Sequence, residues 1–223
     1  AGARRVRSFA LDGDVDVQGQ AQWQGDQWGL RISAPEGRVD TTVAIAGRHN
    51  AKNAVAAAAC ALAAGAPLDA VAQGLAAFRP VGGRSRLLSV PWQGRTVTLL
   101  DDSYNANPDS VLAAIDVLAE LPGPRWMLLA DMAEVGDQGP AFHTEVGRHA
   151  AARGIDSVWT FGVQSEAVAR ECSGRHFTQI DTLLAALPSG PAAASVLVKG
   201  SRSMKMERVV RAFTDAGGQA HAA

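Results

Sequence analysis

Between Val6 and Ala46 the apolar residues come in short alternating runs: Val15/Val17, Ala21/Trp23, Trp28/Leu30/Ile32 and Val39/Thr41/Val43/Ile45. A period of two gives a strand one buried face and one exposed face. With Gly25-Asp26 and Pro35-Glu36-Gly37 as turns between the runs, the pattern predicts antiparallel hairpins. At Gly47 the character changes. His49 to Ala64 is nearly continuous alanine with Val55 and Leu62, closed by Gly65, and Pro67 can open a second helix reaching about Phe78. The stretch Arg79-Pro80-Val81-Gly82-Gly83-Arg84-Ser85-Arg86 is too rich in proline, glycine and charge to continue a helix. It reads as a linker, which places a domain boundary near residue 85 and divides the chain into 1–85 and 86–223.

Beyond the linker, apolar runs alternate with helical segments. The predicted strands are Thr96 to Leu100, Trp126 to Ala130, Ser157 to Phe161, His176 to Ile180 and Val196 to Val198. Between and after them lie predicted helices over Pro108 to Leu121, Phe142 to Arg153, Ser165 to Cys172, Thr182 to Leu187 and Met204 to Phe213. Strands apolar on both faces and joined by helices require a parallel sheet covered on two sides. The expected fold class is therefore α/β: a Rossmann-like, doubly wound, mostly parallel sheet in the C-terminal part, preceded by antiparallel strands and two helices. Gly217 to Ala223 reads as a frayed tail.

Composition narrows the function classes. The 223 residues carry 21 basic and 22 acidic side chains, a formal net charge of -1, which provides no electrostatic footprint for nucleic acid. No apolar run approaches the roughly 20 residues that span a bilayer. Cys60 and Cys172 stand alone in predicted helices, without CxxC or Cys/His spacing, so reduced thiols in a cytoplasmic protein are expected and a bound metal is not. His143 and His149 are expected as core-edge or partly exposed histidines for the same reason. Ala1-Gly2-Ala3-Arg4-Arg5 has no initiator methionine and no signal-like apolar stretch behind it, and reads as a cut edge.

Ligands of a doubly wound sheet are expected at the carboxyl ends of its strands, and three such ends carry polar clusters. Asp101-Asp102-Ser103-Tyr104-Asn105-Ala106-Asn107-Pro108 follows the first strand. Its carboxylates can hold a ribose, a metal-bound phosphate or an amine, and the amides of Asn105 and Asn107 both donate and accept. An Asx turn with a helix cap would use the same residue types. Asp131-Met132-Ala133-Glu134-Val135-Gly136 follows the second predicted strand and reads equally as a solvated loop. Lys199-Gly200-Ser201-Arg202-Ser203 precedes the helix expected from Met204, where backbone N–H groups and two cations would suit a carboxylate or phosphate. A fourth feature, Gly47-Arg48-His49-Asn50-Ala51-Lys52-Asn53, puts Asn50 and Asn53 three apart at a helix start, on one face, where two amides can read the edge of adenine or simply cap the helix. Neither GxxxxGK[ST] nor GxGxxG occurs in the chain.

These four motifs, in this order and spacing over essentially the whole chain, resemble the Mur ligases, and within them the branch that joins D-alanyl-D-alanine to UDP-N-acetylmuramoyl-tripeptide. The resemblance implies a cytoplasmic ATP- and Mg2+-dependent peptide ligase of peptidoglycan precursor synthesis, expected as a monomer, without nucleic-acid partners or membrane insertion. It places residues 1–85 at the end of the family's central ATPase domain and 86–223 in its C-terminal domain. The family's P-loop and metal ligands lie upstream of the stretch this chain matches, so the chain alone is expected to be inactive.

Carried over by motif, Asn50 and Asn53 resemble the adenine-contacting pair. Arg84 resembles the arginine that reaches ATP phosphate when the C-terminal domain closes, with Arg86 competing for that role, and Asp102 resembles the ribose-holding aspartate. Tyr104, Asn105, Asn107, Asp131, Lys199, Ser201 and Arg202 remain for the dipeptide. Two other functions fit the same residues: a related amide ligase of the folylpolyglutamate synthase kind, and a non-catalytic nucleotide- or peptide-binding module.

Overall fold

The computed structural model describes residues 6–133 and 135–219. Ala1 to Arg5, Glu134 of the second polar cluster and the last four residues of the expected tail lie outside the described residues. The chain forms two compact units, Ala1–Pro80 and Val81–Ala223.

The first unit is a four-stranded sheet in the order β1-β2-β3-β4, with β1 at Phe9–Leu11, β2 at Val17–Trp23, β3 at Trp28–Ala34 and β4 at Gly37–Val43. Strands β2, β3 and β4 form the expected antiparallel hairpins, with Trp23 opposite Trp28 and Ala34 opposite Gly37 at the turns. The pairing of β1 departs from the hairpin reading, because β1 runs parallel to β2. The chain doubles back through left-handed Asp12 and Gly13. Asp16 then clamps the start of the loop by accepting from the backbone N–H of Ser8 at 2.7 Å and from its hydroxyl at 2.8 Å.

Helix α1, Arg48–Ala63, buries Ala51, Val55, Ala58 and Leu62 against Val17, Leu30, Ile32 and Val43 of the sheet. Alanine lets a helix approach a sheet closely, because it presents little bulk and loses no side-chain entropy. Helix α2, Leu68–Ala77, packs on β4, where Thr41 donates to the carbonyl of Ala72 at 2.7 Å.

The second unit is a six-stranded sheet in the order β5-β6-β10-β7-β8-β9. Its strands are β5 (Arg86–Trp92), β6 (Arg95–Asp102), β7 (Arg125–Ala130), β8 (Ser157–Phe161), β9 (Arg175–Phe177) and β10 (Ser195–Lys199). All pairings are parallel except β5 with β6. Strand β5 precedes the first strand expected from the sequence, at Thr96. Pro91 argues against a strand unless that strand lies at an edge, and β5 does. A two-residue turn with positive φ at both Gln93 and Gly94 joins β5 to β6, the twist that a tight hairpin favours.

Helices α3 (Pro108–Glu120), α4 (Gly139–Ala152), α5 (Glu166–Glu171), α6 (Ile180–Ala186) and α7 (Glu207–Gln219) cover the sheet. Trp126, Leu128 and Ala130 of β7 share a core with Val209 and Phe213 of α7, while Met127 and Leu129, pointing the other way, are equally buried. Both faces are therefore covered, as a doubly wound sheet requires. Helix α7 starts at Glu207 rather than Met204 and includes Gly217 to Gln219, the start of the expected frayed tail.

Candidate functional site

Strands β6 and β10 are adjacent and parallel, yet the chain leaves them differently: α3, after β6, packs on β10 and β7, whereas α7, after β10, packs on β5. Connections that diverge from neighbouring strands open a crevice at their carboxyl ends. There the register sets Lys199 beside Asp102 and Val198 beside Asp101.

The two aspartates do different work. Asp101 is buried; it accepts from the backbone N–H of Gly83 at 2.9 Å, the Ser103 hydroxyl at 2.7 Å and the Arg86 guanidinium at 3.3 Å. Asp102 accepts from the backbone N–H of Ser85 at 2.8 Å and, through its other oxygen, from the Lys199 ammonium. Lys199 also donates to the carbonyl of Asn105 at 3.0 Å. The carboxylates thus fasten the segment 83–86 onto the end of β6. Gly83 fits because its φ is +80° and because a Cβ there would lie 3.0 Å from the Tyr104 nitrogen.

The fastened segment presents Arg84. Its guanidinium carbon lies 4.1 Å from the centroid of the Tyr104 ring, and that of Arg202 lies 5.4 Å from the same centroid. Arg202 is paired with Glu207 at 3.6 Å and Arg86 with Asp101. Arg84 makes no ion pair among the described residues. Two arginines that look interchangeable in the sequence are thereby separated: Arg86 is committed to the loop, and Arg84 is exposed with its charge uncompensated.

The Lys199-to-Ser203 run differs from the expected anion cradle. Lys199 is buried and its charge is met by Asp102. The backbone N–H of Ser201 donates to the carbonyl of Asp131 at 3.1 Å. A 3-10 turn over Arg202–Met204 and left-handed Lys205 separate the run from α7, so it does not sit at that helix's N-terminus. Gly200 is required by contact rather than conformation, since a Cβ would lie 2.7 Å from both Ala130 and Met206.

Asp131 and Asn107 serve local structure. Asp131 accepts backbone N–H groups from Val163 at 2.8 Å, Gln164 at 3.1 Å and Ser165 at 2.8 Å, just before α5. Burial pushes its carboxyl up, but these bonds outweigh burial and hold it below the ordinary carboxylate value. Asn107 caps α3 in a reciprocal box with Ser110, accepting its N–H at 2.8 Å. Tyr104 and Asn105 are exposed beside the crevice.

His143, expected at the core edge, is wholly buried: its Nε2 accepts the Met132 N–H at 3.1 Å, and its Nδ1–H donates to the Gly139 carbonyl at 2.7 Å. His149 is half-buried and bonds Asp116 at 2.8 Å. Among the described residues, no group of three His, Cys, Asp or Glu side chains could hold a metal ion, and no helix is long and apolar enough to cross a membrane. Both cysteines are free thiols. Burial pushes Cys172 up to about 11.

In the first unit, Gly47 rather than an asparagine stands at the N-cap of α1. The Asn50 amide donates to the Ala46 carbonyl at 2.7 Å and accepts from the Asn53 amide at 3.3 Å. Asn53 is exposed and keeps its carbonyl oxygen and one amide hydrogen for another partner.

Residues 83–202, more than half of the chain, match the family described as "Mur ligase, glutamate ligase domain". The chain belongs to the Mur ligase family. Among relatives of this Mur ligase chain, the UDP-N-acetylmuramoyl-tripeptide--D-alanyl-D-alanine ligase of Escherichia coli (strain K12) is 44% identical over 190 residues, covering 83% of this chain and 41% of that protein. The chain therefore spans about two fifths of that relative's length. A structure of MurF from Acinetobacter baumannii is similar with a TM-score of 0.81 at 28% identity, over 94% of this chain and 46% of that one. MurF from Thermotoga maritima, solved in complex with ADP, shares the fold with a TM-score of 0.75 at 21% identity, over 95% of this chain and 49% of that one.

Proposed function

We propose that this Mur ligase chain is the C-terminal part of an ATP-dependent ligase that joins D-alanyl-D-alanine to UDP-N-acetylmuramoyl-tripeptide in peptidoglycan precursor synthesis. The observation that carries the reading is the extent of the likeness to the E. coli enzyme of that name. In this reading residues 1–85 end the central ATPase domain and 86–223 are the C-terminal domain. ATP supplies the phosphoryl group that converts the tripeptide's terminal carboxylate to an acyl phosphate, from which the dipeptide amine displaces phosphate to form the amide. The Mg2+ that accompanies ATP would be held by ligands in the part of the enzyme this chain does not span. A cytoplasmic location fits the free thiols.

The residues present fit a nucleotide. Arg84 brings an uncompensated guanidinium already lying on an aromatic ring, and arginine binds phosphate oxygens bidentately. Asp102 accepts the backbone N–H and, at 3.3 Å, the hydroxyl of Ser85 on one oxygen and the Lys199 ammonium on the other, which leaves the second oxygen with acceptor capacity for a ribose hydroxyl. Asn53 has the free carbonyl and amide hydrogen that pair with an adenine edge, and Asn50 holds it in place. In this reading the exposed Tyr104, Asn105 and Arg202 would meet the dipeptide, and Lys199, Ser201, Asp131 and Asn107 would act through the local bonds that hold the loops around it.

The test joins the chain in frame to the preceding segment of the E. coli ligase. The chimaera should form UDP-N-acetylmuramoyl-pentapeptide from ATP, the tripeptide substrate and D-alanyl-D-alanine. Arg84→Ala and Asp102→Ala should each lower turnover roughly ten- to a hundredfold, the worth of a charge-assisted contact. Phosphate release supported by glutamate in place of the dipeptide would overturn the reading in favour of a folylpolyglutamate-type ligase. A crippled Arg86→Ala beside a normal Arg84→Ala would move the phosphate role to Arg86.

A further inference from the structure

Arg84 is exposed and has no ion pair among the described residues, so the direction of this long side chain is set by its contact with Tyr104. The guanidinium carbon stands 4.1 Å from the ring centroid, inside the roughly 6 Å within which an aromatic face attracts a cation. The backbone repeats the link, because the Tyr104 N–H donates to the carbonyl of Gly83 at 2.9 Å. Asp101 anchors the neighbours of both residues, accepting the Gly83 N–H at 2.9 Å and the Ser103 hydroxyl at 2.7 Å. Both the main chain entering Arg84 and the guanidinium at its tip are therefore set by one residue.

A ring holds a guanidinium differently from a carboxylate. An ion pair occupies N–H donors and offsets the charge, as Asp101 does for Arg86. An aromatic face attracts the cation while supplying no oxygen to its N–H donors and no opposite charge. Those donors and that charge are what bidentate contact with phosphate needs. A side chain already seated also has less rotamer freedom left to lose on binding. The second cation at the ring is Arg202, at 5.4 Å. Its contact with Glu207 at 3.6 Å offsets its charge and leaves the nearer place to Arg84.

We infer that Tyr104 is the positioning residue of Arg84: its ring seats the guanidinium, still charged and with its donors open, before an anion arrives. The inference rests on the phosphate role of Arg84 proposed above, and it gives Tyr104 a task on the nucleotide side of the reaction. The ring performs that task and the hydroxyl is not needed for it.

The test uses the 223-residue chain with inorganic triphosphate as the probe. Tyr104 is the only tyrosine in the chain, so isotope-labelled tyrosine gives a single set of ring signals in NMR. Triphosphate should move these signals, sodium chloride at the same ionic strength should not, and Arg84→Gln should abolish the movement. Tyr104→Leu, followed at the Arg84 Nε–H, should weaken triphosphate binding roughly two- to fivefold, the worth of an exposed cation–π contact. Tyr104→Phe, which keeps the ring, should bind as the unsubstituted chain does. Arg175→Gln, which removes an arginine lying 4.6 Å from the Phe177 ring centroid, should change nothing. In the chimaera, Tyr104→Leu should raise KM for ATP by the same factor, and Tyr104→Phe should restore it. Ring signals indifferent to triphosphate, undiminished binding by Tyr104→Leu, an equal loss with Arg175→Gln, or a rise confined to KM for D-alanyl-D-alanine would each overturn the assignment. A chimaera that makes no pentapeptide with Tyr104 intact would instead count against the proposed ligase, and the triphosphate titration would still decide the role of the ring.

Discussion

Lys199 shows how a residue's partner decides its chemistry. In the sequence it is a cation beside a glycine and serines; in the fold it is a buried ammonium whose charge is met by Asp102 and the Asn105 carbonyl. Removing one member of a buried ion pair leaves the other uncompensated, at a cost of about 3–5 kcal/mol. Lys199→Met should therefore destabilise the second unit by that order in urea unfolding followed by tryptophan fluorescence, and Lys199→Met with Asp102→Asn should recover part of the loss. An unfolding midpoint unchanged by Lys199→Met would mean that the pair contributes nothing to stability. The two arginines teach the same lesson: composition gives Arg84 and Arg86 equal standing, and only the Asp101 contact removes Arg86 from the free charges.

At the scale of elements, the helices of the second unit carry stronger local signals than the strand that opens its sheet. Helix α3 was legible from Asn107-Pro108 onward, because an asparagine cap followed by proline is a local signal that needs no tertiary partner. Asn107→Ala should remove the reciprocal bonds with Ser110 and lower stability by about 1 kcal/mol, visible as a shifted urea midpoint with unchanged slope. Strand β5 was hidden because its proline is tolerated only at an edge, and edge position belongs to the assembled sheet. The start of α7 at Glu207 is hidden in the sequence for a related reason. Left-handed Lys205 interrupts the helical pattern, and nothing in its side chain announces that conformation.

For the whole molecule, the activity expected of the family needs a phosphate cradle, and GxxxxGK[ST] occurs nowhere in these 223 residues. The chain expressed by itself should release no phosphate from ATP in the presence of magnesium, UDP-N-acetylmuramoyl-tripeptide and D-alanyl-D-alanine. Turnover above a no-enzyme control, in material free of full-length ligase, would overturn that expectation.

The sequence by itself determined the fold class, the alternation of strands and helices in the second unit, and the clustering of polar residues at strand ends. Those features follow from local periodicity and from short-range rules for caps and turns, which each segment carries within itself. The tertiary structure decided which polar groups remain available. Register places Lys199 against Asp102, divergent connections open the crevice between β6 and β10, and hydrogen bonding commits Asp131 and Asn107 to neighbouring backbone. A charge is free or spent according to what lies within a few ångströms of it, and for Arg84 and Lys199 those neighbours come from segments apart in the chain.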